Sequence, residues 1–241
     1  SLHDALPIWN IGGASLGGPL MRNRWFLFGN WEQRQDRSDT VVLRYVPTAQ
    51  MRQGILRYPT ASGGTASVTP EQLRQIDPRG VNPAILSVFQ QYPLPNDFGV
   101  GDALNIAGYR FVTATPLTWN TYVAKTDYNL DAAGNHHLFV RGNLQNDRVS
   151  GEQQFPGMAA NSTNLTNSKG IAVGLTSVLG ASVVNDFRYG LTRQGFEIAG
   201  IATTPQVVFR TIDSLIGTDR NFRSIIPVHT IANTTTWTKG D

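Results

Sequence analysis

The 241-residue chain has no cysteine, which excludes disulfide staples and thiolate metal sites. That absence suits passage through an oxidising compartment but is equally common in a reducing one. No apolar run approaches the ~18–20 residues that a transmembrane helix needs. The opening SLHDALPIWN has neither the basic n-region nor the apolar h-region of a signal peptide. Charged residues are also scarce, at 15% of the chain against the ~25% usual for soluble domains. The 20 basic and 17 acidic side chains leave a formal net charge of +3. This balance, with no basic stripe, argues against nucleic acid as a partner.

What the chain does have is a rhythm. Apolar-alternating segments of about ten residues are joined alternately by very short and very long connections. Tyr122–Leu130 and His137–Leu144 are separated by the tight DAAGNH of 131–136, and Ile171–Leu179 and Val183–Leu191 only by Gly180–Ser182. Between these hairpins lie long stretches rich in Gly, Ser, Thr, Asn and Pro, at 34–117, 149–168 and 196–227.

A strand places successive side chains on opposite faces, so each segment sorts in two. The first strand, predicted at Arg24–Gln33, sets Phe26, Phe28 and Asn30 against Trp25, Leu27, Gly29 and Trp31. The Gly-rich 10–20 before it reads as a flexible approach, since it lacks the GK[ST] ending of a phosphate loop. Trp119–Leu130 carries Tyr122, Ala124, Thr126 and Tyr128 on one face and Lys125, Asp127 and Asn129 on the other. The next strand sets Leu138, Val140 and Leu144 against Phe139, Arg141 and Asn143. The fourth sets Ile171, Val173 and Leu175 against Ala172 and Gly174; the fifth sets Phe187, Tyr189 and Leu191 against Asp186 and Arg188. A sixth, His229–Trp237, alternates ambiguously and leaves its register open.

Within 34–117, Thr69-Pro70-Glu71-Gln72 has the arrangement of a capping box, and Asn82-Pro83 opens a second short helix with Ile85, Leu86 and Phe89 on one face. One or two short helices packed over the loop base are expected, with the rest irregular.

A one-sided soluble sheet and a membrane barrel both sort polar from apolar in this way. Connection length separates them. Outer-membrane barrels have short periplasmic turns and long outer loops, with strands of ~9–11 residues crossing the bilayer. Trp25, Trp119, Tyr128 and Trp237 lie near strand ends, where aromatic girdles form. The expected fold is therefore all-β: about six strands of an antiparallel transmembrane barrel, with long extracellular loops and one or two short helices in the first. Lys125, Asp127, Arg141, Asn143, Asp186 and Arg188 are the lumen-facing candidates. Tyr122, Tyr128, Leu138, Val140, Leu144, Phe187, Tyr189 and Leu191 are the lipid-facing ones. Six strands cannot close such a barrel, since bacterial examples start at about eight. The chain starts without Met and stops at Thr238-Lys239-Gly240-Asp241. We read residues 1–9 as a non-native, adapter-derived leader and 10–241 as a partial barrel domain truncated at both ends.

No motif points to catalysis, and neither an enzyme nor a cofactor is expected. His136 and His137 point to opposite faces, so a turn and strand start outweigh a metal pair. Gly99-Val100-Gly101 lacks the third glycine of a dinucleotide fingerprint, and there is no GxSxG. The Asn-x-Thr matches at Asn161, Asn164 and Asn233 arise by chance in Asn/Thr-rich loops. Asp213, Asp219, Arg220 and Arg223 read first as residues of a solvated loop, and Glu152 and Glu197 show no pairing.

At Gly17–Glu32 (GGPLMRNRWFLFGNWE) the chain resembles the start of the barrel in TonB-dependent outer-membrane receptors, more narrowly the Oar-like group whose precursors carry a carboxypeptidase-regulatory-like domain. The resemblance continues in order through Val46-Pro47-Thr48, Met51–Gly54, Ile76-Asp77-Pro78, Gln91–Asn96, Asp127–Leu130 and Val184–Gly190. It implies a plugged barrel of about 22 strands that takes up a nutrient or other ligand. The implied partners are outer-membrane lipid, the TonB complex through an N-terminal part not in this chain, and an unidentified ligand. Two rivals share the strand pattern: a passive porin, and a soluble cell-surface β-sandwich binding module.

Overall fold

The computed structural model describes residues 8–200, 205–217 and 221–239. In chain order the strands are β1 (Ile8–Met21), β2 (Trp25–Arg37), β3 (Asp39–Pro47), β4 (Leu56–Pro59) and β5 (Thr65–Val68). After helices α1 (Pro70–Ile76) and α2 (Pro83–Phe89) come β6 (Ile106–Ala114), β7 (Leu117–Asn129), β8 (His136–Ser150), β9 (Ser162–Val178), β10 (Val183–Gly200) and β11 (Phe222–Trp237). Seven of them form one open antiparallel sheet in the order β1-β2-β7-β8-β9-β10-β11. It is an up-and-down meander. Every second connection is short and every other one is long.

The sheet has seven strands rather than six because the Gly-rich segment is a strand and not a flexible approach. Gly12, Gly13, Gly17 and Gly18 hide the alternation that marks a strand, yet β1 pairs with β2 from Ile8↔Arg37 to Met21↔Trp25. Two of the glycines permit the close approach. A Cβ on Gly13 would lie 2.7 Å from the Trp31 carbonyl oxygen, and one on Gly17 3.1 Å from the Phe28 ring. The other strands are also longer than alternation suggested: β9 and β10 have 17 and 18 residues, well beyond the ~9–11 that span a bilayer. Parts of 149–168 and 196–227 expected as loop are therefore strand.

The long excursion between β2 and β7 is not irregular outside its helices. β3 pairs with β6 (Val42↔Phe111, Val46↔Ala107) and β4 with β5 (Leu56↔Val68). The helices lie where their caps place them. The Thr69 hydroxyl accepts the Gln72 N–H at 3.3 Å while the Gln72 side chain accepts the Thr69 N–H at 2.9 Å. Asn82 Oδ1 accepts the Ala84 N–H at 2.9 Å. Phe89 is buried, with Ile85 and Leu86 packed beside it.

The hydrophobic core sits in this excursion together with the other two long connections. Val46, Phe89, Tyr92, Phe155 and Ile212 are buried together, flanked by Met51, Ile106, Phe209 and Leu215. Three loops distant in sequence thus form one cap. Burying each large side chain contributes ~1.5–3 kcal/mol. Polar ties fix the loops to one another. Arg44 donates to the Gln153 and Gln154 carbonyls at 3.1 and 3.2 Å and pairs with Glu152 at 3.2 Å. Gln154 Nε2 donates to the Ser214 carbonyl at 2.6 Å.

Candidate functional site

Residues paired across an antiparallel ladder project on the same side, so the register sorts the sheet residue by residue. Lys125↔Arg141, Asp127↔Phe139 and Val123↔Asn143 join β7 to β8; Phe139↔Gly174↔Arg188 and His137↔Thr176↔Asp186 carry the same face to β10. All six polar candidates therefore share one face. Tyr122↔Leu144, Tyr128↔Leu138↔Leu175↔Phe187, Val140↔Val173↔Tyr189 and Ile171↔Leu191 lie on the opposite one. All eight apolar candidates share that side.

The polar face is held by short ion pairs. Asp127 accepts from Lys125 Nζ at 2.9 Å, and His137 Nε2 lies 3.3 Å from the same carboxylate. Arg188 Nε lies 2.9 Å from Asp186. Lys125 also sits 5.7 Å from the centre of the Phe139 ring. Phe28, Val123, Lys125, Phe139 and Arg141 line a depression of about 410 Å³ on this face. Trp119 falls here too, opposite Arg34 with the guanidinium 4.8 Å from its ring, and so does not join a girdle on the apolar face. Trp25 and Tyr128 do lie together on the apolar face near the short-turn end, edge to face at 6.1 Å, with the indole N–H donated to Thr126 Oγ1 at 2.7 Å.

The apolar face has no covering layer among the described residues, and its Trp31, Tyr122, Ile171 and Phe187 are exposed. The short turns step along the sheet, from 22–24 to 130–135 to 179–182, each further beyond the Trp25↔Tyr128↔Leu138↔Leu175↔Phe187 row than the last. The apolar band slides in the same direction. Its last apolar pair toward the long loops is Trp31↔Tyr122 on β2–β7 and Ile171↔Leu191 on β9–β10. Such a stagger is what tilted barrel strands require.

In the cap, a cleft of about 680 Å³ is lined by Tyr45, Asp102, Ile106, Phe209, Ile212 and Asp213. Asp213 closes one wall, accepting the Tyr45 N–H at 2.6 Å and returning its own N–H to the Tyr45 carbonyl at 3.0 Å. Asp102 accepts the N–H groups of Leu104, Asn105 and Ile106 at 3.0, 2.8 and 2.8 Å. Burial would raise its carboxyl pKa, but these bonds outweigh it and leave the value lowered. The buried Tyr92 hydroxyl has no hydrogen-bond partner among the described residues; desolvation first, then the Asp213 charge, push it up to about 12. Arg110 donates to Asp97 at 2.7 and 3.0 Å and holds that carboxyl below the usual carboxylate range, helped by the Gly99 N–H.

Of the loop residues considered for ligand binding, Asp213 lines the cleft, Arg223 lies at the start of β11, and Asp219 and Arg220 fall outside the described residues. No group of metal-ligating side chains occurs among the described residues. The cap core was not legible, because Phe155 stands nearly alone in a polar stretch and the apolar residues around Ile212 follow no clean period. Apolar residues inside long polar loops, Phe155 singly and Val207–Phe209 with Ile212 as a group, were the available signal.

A family model described as an outer membrane beta barrel domain matches residues 7–241. No curated protein and no solved structure matches. The meander, its alternation of short and long connections, and the uncovered apolar face agree with that match. Among the described residues the seven strands form one sheet, and the family match sets the soluble sandwich reading aside. The chain belongs to the outer membrane beta barrel domain family and is a protein of the bacterial outer membrane.

Proposed function

We propose that this chain is part of the barrel of a TonB-dependent receptor or transporter that takes up a ligand across the outer membrane. The polar face with Lys125, Asp127, Arg141, Asn143, Asp186 and Arg188 then lines the lumen. The face with Tyr122, Leu138, Val140 and Phe187 meets acyl chains. Short turns lie in the periplasm and the cap lies outside the cell.

The observation that carries the reading is the cap. Three long loops share one core around Val46, Phe155 and Ile212, and a folded roof over a pore suits capture of a ligand better than free diffusion. The GGP-to-aromatic stretch Gly17–Trp31, which forms the β1–β2 hairpin, supports the same reading. Further strands would complete the closed barrel, and TonB would engage a segment N-terminal to this one. We assign no catalytic role to any residue.

A porin would use the same sheet and is separated from the transporter by energy dependence. Uptake by cells carrying the full-length protein should stop when TonB is deleted or the proton-motive force is collapsed. Uptake unaffected by both, together with steady ion conductance in planar bilayers, would assign the chain to a passive pore.

A further inference from the structure

The two faces of the sheet differ in sign as well as in polarity. On the polar face, acids and bases alternate and pair, as in Lys125–Asp127 and Arg188–Asp186. On the apolar face, the register places every charged strand residue at the long-loop end: Arg37, Arg148, Lys169, Arg193 and Arg223, with Glu197 the single acid. Lys169 and Arg193 are direct cross-strand partners, an arrangement that like charges make unfavourable. Neither they nor Arg148 have an ion-pair partner among the described residues, and Arg223 reaches Glu197 only at 3.9 Å. Lys169, Arg193 and Arg223 line a depression of about 380 Å³ together with Asn146, Asn167 and the single acid Glu197, so three cations there face one carboxylate. Apolar side chains continue directly from it toward the short turns: Leu144 opposite Lys169, then Ile171 and Leu191 one row down.

We infer that Arg148, Lys169, Arg193 and Arg223 form a binding site for the phosphate groups of a phosphorylated lipid of the outer leaflet, with its acyl chains along Leu144, Ile171 and Leu191. This rests on the reading that the apolar face meets lipid and that the long loops lie outside. A repulsive cation pair at headgroup depth, bounded on one side by apolar surface, is complementary to an amphiphile with an anionic head. Each cation near an anionic lipid surface contributes to its attraction. An anion between the strands also relieves the Lys169–Arg193 repulsion. A soluble anion would account for the cations but not for the apolar track below them.

The test uses the full-length protein in detergent, loaded with bisphosphorylated lipid A or with the same lipid after its phosphates are removed, and retained lipid counted by native mass spectrometry. The expected result is retention of the phosphorylated lipid and a loss on the order of tenfold to a hundredfold on dephosphorylation. The triple variant Arg148→Gln, Lys169→Gln, Arg193→Gln should show the same loss, while Lys125→Gln on the opposite face retains lipid as the parent does. Equal retention of the dephosphorylated lipid, or full retention by a folded triple variant, would overturn the assignment. Full displacement by millimolar inorganic phosphate would do so too, reducing the site to a free-anion pocket. Should the triple variant fail to fold, the two lipids on the unaltered protein still decide. Acyl-chain probes on Tyr122 and Phe187 in the same samples separate the outcomes: labelling without phosphate-dependent retention defeats only this site, and absent labelling defeats the lipid-facing reading itself.

Discussion

The cap and the sheet are made from one chain but obey the rules of different solvents. Among the described residues the buried apolar side chains are Val42, Val46, Pro47, Phe89, Tyr92, Ala107, Phe111, Phe155 and Ile212, and all lie in the long connections. The seven long strands contribute none. Leu16, Leu27, Tyr122, Ile171 and Phe187 lie open instead, Leu16 at 83% exposure. In water the cap gains by withdrawing apolar surface, while the sheet would be a liability with one uncovered apolar face and two free edges. In a bilayer the order reverses, because lipid covers that face and the ladders satisfy the backbone within the sheet. Burial therefore says where water is, and its absence from the strands is as informative as its presence in the cap.

This contrast can be broken from either side. The largest effect is expected in the cap: Phe89→Ala, beside Phe209 at 5.0 Å between ring centres, should cost ~3–5 kcal/mol of cap stability. Limited proteolysis should then cut the loops while the heat-modifiable band shift of the folded barrel persists. On the sheet, Val140→Arg should cost ~2–4 kcal/mol, as cations do at mid-bilayer on a lipid face. Asn143→Arg on the same strand but the other face should cost little, and urea titration of protein folded into vesicles compares the two. Equal costs would remove the distinction between the faces.

Smaller substitutions sharpen the comparison. Thr69→Ala removes one half of the capping box and should cost ~1 kcal/mol, read as faster amide exchange over Pro70–Ile76 with no change in the strands. The Asp97 carboxyl has a folded pKa below its unfolded one. Its contribution is therefore present above the ordinary carboxylate value of ~4 and is lost as pH falls through the folded value. Asp97→Asn should remove that contribution at neutral pH, read as raised protease sensitivity of the cap there, and leave the acid side almost unchanged, so that the cap's stability varies less with pH.

Legibility in the sequence followed the range of the interactions. The strands β7, β8 and β10 were readable because Tyr122, Tyr128, Leu138, Val140 and Phe187 alternate with Lys125, Asp127, Arg141 and Asp186 within a few residues. The two helices were readable because Thr69, Gln72 and Asn82 act on backbone groups beside them. β1 was not, since glycine carries no face and its pairing with β2 depends on a close approach that only the partner reveals. The β3–β6 pairing and the core around Val46, Phe155 and Ile212 join segments far apart in the chain. No local pattern encodes such a meeting. Of the candidate site, the division of polar from apolar residues was legible; the cation pair Lys169–Arg193 was hidden because β9 and β10 run past the segments where alternation is clean.

The most direct measurement is acyl-chain contact in native membranes. With photoactivatable lipid in outer membranes containing the full-length protein, crosslinks should map to Tyr122, Leu138 and Phe187 and spare Lys125 and Arg141. Crosslinks at Lys125 or Arg141, with Tyr122, Leu138 and Phe187 protected, would contradict the account.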